Sequence, residues 1–349
     1  MKNFVCCVWL LFGVILSVDT TRAQKVGSTS MQFLKVMPCA RATAMGEAYS
    51  VWASGAEAVF WNPSGVALVR NQEFSSTYID WIFDTRQGAL SYAASLGDLG
   101  AMGLQLQYID YGVFEETSLL AQYRQNENQP GMTGRTFHPF AYVAGVSYAH
   151  SLTDKFSMGV TMKYVHESLF NGDMVTALVG QGGTLESPGV YQDVKTWGSG
   201  LLFDFGIRYN TGFRSIQIAA SVQNFGAEIT YAKESSLAPL LFRFGTAADL
   251  IGKDPLLMSD ESNRVSLAFD LFQPNDYDQQ EHIGMEYEYA GVLALRAGYK
   301  FHYDSEGLTV GGGIKHDLGS VGLSLDYSYG SIGTYLGHVQ RISLGATLP

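Results

Sequence analysis

The sequence predicts an all-β fold, a transmembrane β-barrel of about fourteen antiparallel strands with an amino-terminal plug segment. Three observations carry this expectation. Segment after segment alternates with a period of two, placing bulky apolar residues on one face and polar or tiny residues on the other. The segments run about nine to thirteen residues, the length a tilted strand needs to cross a bilayer. Finally, 39 glycines, 20 tyrosines and 20 phenylalanines supply small residues for a crowded interior and aromatics for interfacial girdles.

Taken in order, the amino terminus (1–23) reads as a secretory signal. Lys2 is its positive start, Phe4 to Val18 its apolar core, and Thr21-Arg22-Ala23 its small-x-small exit, with cleavage expected between Ala23 and Gln24. A transmembrane anchor is the alternative, but the apolar run is about 15 residues where a span needs roughly 20. Cys6 and Cys7 leave with the signal, so Cys39 stands alone in the mature chain and no intramolecular disulfide is available. No later run of about 18 apolar residues exists, which excludes a helical membrane protein. The net charge of −11 opposes a nucleic-acid partner, whose phosphates require a basic face.

Residues 24–71 differ in texture, being rich in Ala and Gly and poor in alternation. They close on Phe60-Trp61-Asn62-Pro63-Ser64-Gly65, where Pro and Gly force turns. Lying ahead of a wide barrel, this segment is expected to plug the lumen. A floppy periplasmic tail is the alternative; the Ala content and Trp52, Val59 and Phe60 speak against it.

The barrel should occupy 72–349, with strands near 72–83, 87–96, 101–110, 138–150, 156–166, 198–209, 215–225, 240–250, 263–273, 281–289, 292–303, 307–317, 319–329 and 338–348. Outward faces are Met158, Val160, Met162 and Tyr164; Leu201, Phe203, Phe205, Ile207 and Tyr209; Val265, Leu267, Phe269 and Leu271; and Leu293, Leu295, Ala297, Tyr299, Phe301 and Tyr303. Near the end, Val321, Leu323, Leu325, Tyr327 and Tyr329 oppose Gly322, Ser324, Asp326 and Ser328, and Ile342, Leu344, Ala346 and Leu348 oppose Arg341, Ser343, Gly345 and Thr347. Asp80 and Asp84 make the first strand the weakest of the set. Tight Gly-, Asp- and Asn-rich turns fall at even-to-odd steps, and the long connections Tyr111 to Phe137 and Glu167 to Trp197 fall at odd-to-even steps, the parity of short periplasmic turns and long external loops. One step breaks this rule: Ile251 to Ser262 is either a real periplasmic excursion or a slip of register. A soluble β-protein is the remaining alternative, and tall faces of Leu, Tyr, Phe and Ile would expose far too much apolar surface to water.

The expected lumen face carries both signs: Asp204, Asp270, Glu286, Glu288 and Asp326 against Lys163, Arg208, Arg243, Arg296, Lys300 and Arg341. Such balance opposes a charge-selective porin and suits ion pairing to a plug, through Arg41 and Glu47. Leu202, Leu241 and Phe272 are its main large apolar positions, too few for a continuous greasy channel unless Met45, Trp52, Phe60 and Trp61 add a pocket; those four are equally ordinary plug core. The seven histidines show no metal-ligand spacing, and His138, His150, His166 and His316 fall near strand ends. Gly311-Gly312-Gly313 lies inside a strand, where glycine makes room for a plug, and Gly180-Gln181-Gly182-Gly183 lacks the Lys and helix of a phosphate loop. No catalytic, cofactor or metal site is expected. The external loops hold Phe114, Tyr123, Arg124, Phe170 and Tyr191, aromatics and Arg among polar residues, the composition of protein-contact surfaces or of solvated loops with incidental aromatics.

Ala40-Arg41-Ala42-x-Ala44-Met45-Gly46-Glu47-Ala48, followed by Ala58-Val59-Phe60-Trp61-Asn62-Pro63-Ser64-Gly65-Val66-Ala67, resembles the amino-terminal signature of the PorV/PorQ family, related to FadL-type outer-membrane barrels that share an Asn-Pro-Ala element. Ser64 replaces the usual Ala, and the chain ends Leu348-Pro349 where such barrels commonly end in an aromatic. The resemblance covers about 30 residues closely and the rest by architecture. It implies a fourteen-stranded barrel in the outer membrane of a Bacteroidetes-type bacterium, embedded in outer-membrane lipids. It also implies partners: type IX translocon subunits and the carboxy-terminal signal domains of exported proteins, which such members bind and carry to the surface attachment machinery. The FadL branch instead moves hydrophobic small molecules through a gap in the barrel wall. The expected function is therefore a role in type IX protein secretion, without enzymatic chemistry; the alternatives are transport of a hydrophobic small molecule and a structural barrel.

Overall fold

The structure is a computed structural model and describes residues 27–118, 129–171, 174–179, 190–232 and 234–349. The expected signal, the glycine-rich 180–183 and the loop residues Tyr123 and Arg124 lie outside the described residues.

Fourteen strands form the wall: β1 Gln72–Asp80, β2 Arg86–Ser95, β3 Ala101–Asp110, β4 Phe140–Ser151, β5 Phe156–Ser168, β6 Trp197–Asn210 and β7 Gln217–Gly226. They continue with β8 Leu241–Gly252, β9 Asn263–Pro274, β10 Gln280–Tyr289, β11 Leu293–Phe301, β12 Leu308–Leu318, β13 Val321–Ser331 and β14 His338–Leu348. Each pairs antiparallel with its sequence neighbours, and β1 pairs with β14 from Gln72↔Leu348 to Asp80↔Gln340, which closes the barrel and removes the free edges an open sheet would carry. In lipid every backbone polar group must find an internal partner, so closure is what makes fourteen short strands stable there.

The period-two pattern becomes two environments. On β5, Met158, Val160, Met162 and Tyr164 point outward and are exposed, whereas Ser157, Thr161, Lys163 and Val165 are buried in the lumen. The same split holds for Leu201 to Tyr209 on β6 and for β13 and β14. No helix among the described residues is long and apolar enough to cross a membrane; the strands do that.

Two differences from the sequence reading have physical causes, and one alternative it left open is decided. Strand β1 stops at Asp80, because Phe83 and Asp84 adopt left-handed backbone (φ 55° and 58°) and turn the chain. Tyr303 is not outward: β11 ends at Phe301, His302 takes φ 60°, and the turn swings Tyr303 inward, where its hydroxyl meets His282 Nε2 at 2.9 Å. The 251–262 connection is a real excursion and not a slip. β8 and β9 keep their pairing from Leu241↔Pro274 through Ile251↔Val265, with one irregularity, and Met258–Ser259 adds a two-residue strand parallel to Ile251–Gly252. That short strand lies outside the closed barrel.

The long external connections also carry structure that alternation does not announce. Phe114–Ser118 pairs with Gly131–Phe137, Met174–Val179 with Val190–Lys195, and Ile229–Tyr231 with Glu234–Ser236, three hairpins standing above the barrel.

Candidate functional site: plug, lumen and external vestibule

Residues 31–69 fill the lumen as short helical turns separated by sharp bends, Gln32–Lys35, Ala40–Ala44, Gly55–Glu57, Ala58–Trp61 and Pro63–Leu68. The last begins at Asn62, whose side chain accepts from Ser64 N, with Pro63 in the first helical position where a missing N–H costs nothing. Asn62 also donates to the carbonyls of Ser50 and of Ile207 in β6, so one side chain caps a helix, spans the plug and ties it to the wall. Ser64 keeps the Asn62 Oδ1 contact through both N and Oγ.

Wall glycines set how closely the plug seats. A Cβ at Gly311 would lie 2.6 Å from the Ala44 Cβ, and one at Gly103 2.6 Å from Val59 Cγ1. At Gly159, Gly206, Gly284 and Gly298 a Cβ would overlap Pro63, Asn62, Met45 and Gly46 outright. Within the 311–313 run only Gly311 faces the plug; Gly313 makes room for the side chains of Arg296 and Asp326. Gly46 itself turns with φ 63° against the backbone of Gly298 and Tyr299. Met45, Trp52, Phe60 and Trp61 are buried in the plug's own core cluster.

Charges interlock plug and wall. Arg41 donates Nε and Nη2 to the two carboxylate oxygens of Glu286 on β10 (2.9 and 2.8 Å). Arg296 on β11 donates to the same Glu286 (2.6 Å) and to Asp326 on β13 (2.6 Å), giving a chain of alternating sign. Glu47 receives Lys300 Nζ at 2.5 Å and Arg243 Nη2 at 3.4 Å, and Lys300 also reaches Glu306 at 2.6 Å. Burial by itself would raise the Glu47 pKa, but the field of Lys300 and Arg243 outweighs it and holds the carboxyl well below the usual range. Asp270 on β9 accepts from Tyr49 N, Ser50 N and Ser50 Oγ (3.2, 2.9 and 2.5 Å). Arg243 adds stacking over the Trp61 and Phe272 rings at 5.1 and 4.1 Å.

The other lumen charges make no ion pair to the plug among the described residues. Asp204 takes Lys163 Nζ at 2.8 Å and the backbone of Asn224, Arg208 donates to Gln217, and Glu288 accepts from Lys315 at 2.8 Å. Arg341 has no hydrogen bond or ion pair among the described residues; it faces the Trp81 ring at 5.4 Å. Two further groupings were not legible in the sequence. Cys39 Sγ donates to Glu57 at 2.7 Å, and burial pushes both of these groups' pKa values up. Asp276, between β9 and β10, gathers Thr29, Gln32 and Lys35, pinning the strap at 29–35 to the external rim.

Above the plug lies an open cavity of about 820 Å³. Its wall mixes Met31, Phe33, Trp81, Ile82, Phe272 and Tyr303 with charged groups, and its floor includes Glu47, Lys300 and Arg341. Beside it Phe114 and Phe170 stack on either side of Phe137, at 5.6 and 4.7 Å between centroids. Tyr191 belongs to the second hairpin, opposite Leu178.

The family model described as "Type IX secretion system protein PorV" matches residues 19–273. The chain belongs to the PorV family. It is an outer-membrane barrel associated with type IX secretion. Among curated proteins no sequence matches the chain. Among solved structures, the Pseudomonas putida toluene transporter TodX is similar over 87% of this chain and 95% of its own, with 16% identity and a TM-score of 0.54. The CymD monoaromatic hydrocarbon channel is similar over 89% of this chain and 97% of its own, with 13% identity and a TM-score of 0.52. At such identities the likeness is one of fold.

Within that shared fold, the PorV-family chain keeps a continuous wall among the described residues. β2, β3 and β4 pair without interruption from Ser95↔Ala101 to Arg86↔Asp110 and from Ala101↔Ala149 to Asp110↔Phe140. The irregularities in the wall are single-residue shifts near Asp204 and Leu250.

Proposed function

We propose that this barrel holds exported proteins at the outer face of the membrane during type IX secretion, using its external hairpins and the vestibule between them, with no chemistry of its own. The observation that carries the reading is the interlock of plug and wall. Arg41, Glu47, Asp270 and Asn62 fasten the plug from four sides, so a protein chain cannot pass through the lumen and contact must be made from outside. The stacked Phe114, Phe137 and Phe170, with Tyr123, Arg124 and Tyr191 in the same loops, are the contact residues we assign, since rigid aromatics and Arg dominate protein interfaces. Residues 1–23 serve as the cleaved export signal and 24–71 as the plug in this scheme.

A second reading, passage of a hydrophobic small molecule, is favoured by the fold shared with TodX and CymD and by the apolar part of the vestibule wall. It requires a way out past the plug, and the continuous pairing of β1 to β4 offers none there. Affinity purification of the tagged protein from gently solubilised outer membranes, followed by mass spectrometry, separates the two. Translocon subunits, or exported proteins sharing a carboxy-terminal domain, are the expected companions. A barrel recovered alone or with bound fatty acid overturns the secretion reading.

A further inference from the structure

The connection between β8 and β9 is the longest periplasmic step of the barrel, and its extra length is ordered. Leu256 N donates to Asp249 O (2.9 Å), Leu257 N to Leu250 O (3.1 Å) and Asp260 N to Gly252 O (2.9 Å), while Met258–Ser259 pairs parallel to Ile251–Gly252. One edge of β8 is already taken at this point, where Ile251 faces Val265 of β9. The added strand therefore lies along the other edge, below the place where β7 and β8 stop pairing at Gln217↔Ala247. There it underlies the β6–β7 turn: Arg214 Nη1 donates to Pro255 O at 2.5 Å and Ser215 Oγ to Asp249 O at 3.2 Å. Two neighbouring connections are thus joined into one ledge outside the closed wall.

The ledge presents apolar side chains. Leu257, Phe213 and Met258 are 75%, 64% and 55% exposed. Single exposed apolar residues need no explanation, but these three belong to two connections that are hydrogen-bonded to each other. Their level decides what covers them. β8 has 12 residues, slightly more than the roughly 9–11 a tilted strand needs to cross a bilayer, so Ile251 and its partner Met258 lie at the periplasmic boundary of the hydrocarbon. Cations gather at the same place. Lys155 Nζ lies where a Cβ on Gly212 would fall, Arg214 holds the ledge, and Lys253 follows the last residue of β8. None of the three has a carboxylate partner among the described residues. Asp154 and Asp254 adjoin the two lysines in sequence, so the rim carries both signs.

We propose that this ledge seats a zwitterionic phospholipid of the periplasmic leaflet. Its phosphate lies among Lys155, Arg214 and Lys253, its ammonium toward Asp154 and Asp254, and the glycerol ends of its acyl chains against Phe213, Leu257 and Met258. Lipid is favoured over a protein partner because the three apolar side chains adjoin the outward rows of β6, β7 and β8, which reach the periplasmic side at Tyr209, Ile218 and Ala248 and already face lipid. Long basic side chains beside apolar ones at this depth extend their charges to headgroups, the arrangement of membrane-interface anchors. The seat needs only the outer-membrane barrel and is independent of the secretion reading.

The test places a cysteine on the ledge, Leu257→Cys, labels it with the environment-sensitive dye acrylodan and reconstitutes the barrel, purified from outer membranes, in vesicles of phosphatidylethanolamine and phosphatidylglycerol. The wild type, whose Cys39 is buried, is the labelling control. Brominated acyl chains should quench the dye, and dissolved iodide should not. Native mass spectrometry in detergent gives a readout without a dye. Affinity for phosphatidylethanolamine should fall about thirty-fold when Lys155→Gln and Lys253→Gln are combined, about five-fold for each cation, and arginine at both positions should restore it. Diacylglycerol, which has no phosphate, should bind the wild type and the double variant alike, and Leu257→Ser with Met258→Ser should weaken both lipids. Asp154→Asn with Asp254→Asn should shift the preference toward phosphatidylglycerol, whose headgroup has no cation. Unchanged migration on unheated gels shows that each variant is folded. Iodide quenching as strong as that of free dye overturns the seat, as does equal phospholipid binding by the wild type and the lysine variant. Screening of the dye from both quenchers, the result a contact with a second protein would give, overturns it as well.

Discussion

Reversing the charge at Arg41 is the sharpest test of the interlock between plug and wall. In the wild type Arg41 makes two hydrogen bonds to Glu286, and Glu286 has one further cation, Arg296. Deleting one partner of a buried pair costs about 3–5 kcal/mol. In Arg41→Glu the new carboxylate faces Glu286 at about 4 Å, adding about 4 kcal/mol of repulsion at an effective dielectric constant of about 20. The new group escapes part of this by protonating, which at pH 7 costs about 3.7 kcal/mol from an ordinary glutamate pKa, and Arg296 takes up some of the excess charge. The sum is about 5–8 kcal/mol against seating the Ala40–Ala44 turn, comparable to the whole stability of a modest domain. The remaining ties at Asp270 and Asn62 are untouched, so the plug should loosen at one side and not leave. Planar-bilayer recording should then show intermittent conductance in Arg41→Glu where the wild type is closed, with protease cleavage appearing within 31–48. A variant with wild-type conductance and wild-type protease resistance would refute the interlock.

Four further outcomes follow from the same geometry. Gly298→Val should cost at least about 3 kcal/mol, since a Cβ there meets the Gly46 backbone and neither partner is a flexible side chain; the temperature at which the folded band is lost on unheated gels should fall. Asn62→Ala removes a helix cap and two wall or plug hydrogen bonds and should cost about 2 kcal/mol, read in the same melting assay. For pH, the Glu47 pKa is depressed in the folded protein, so its contribution is complete above the ordinary carboxylate range and is lost only as pH falls through the folded value. Stability should therefore hold level from pH 7 to about 5 at this site and decline below about pH 4, a decline that Glu47→Gln, already weaker at neutral pH, should flatten in acid melting curves. Finally, Phe170→Ala should remove about 1 kcal/mol of ring stacking on Phe137 and lower recovery of exported proteins several-fold, with little change in barrel melting.

How much of this was legible depends on the range of the physics. Alternation is a local property, so all fourteen strands could be placed to within a few residues, and the outward rows on β5, β6, β13 and β14 follow from it directly. Local pattern fails where one backbone angle decides. His302 at φ 60° turns Tyr303 from the lipid face to the lumen, and Asp84 at φ 58° ends β1 early, and neither residue type demands a left-handed turn. The residue types suited to ion pairing, Arg41 and Glu47 against a wall of mixed sign, were visible, but not which anion each cation meets. Glu286 and Lys300 are separated from their plug partners by 245 and 253 residues, and no short-range signal spans such distances.

By itself, the sequence determined the barrel, its strand count, the parity of its loops and the segment that fills it, because a strand in lipid must alternate every second residue and a bilayer sets its length. Only the tertiary structure decided the seats. Wall glycines admit the plug at Gly46 and Asn62, Phe114, Phe137 and Phe170 meet in one stack, and Arg341 comes to border the cavity beside the Trp81 ring. Those arrangements come from closing β1 onto β14, which brings residues from opposite ends of the chain within a hydrogen bond of each other.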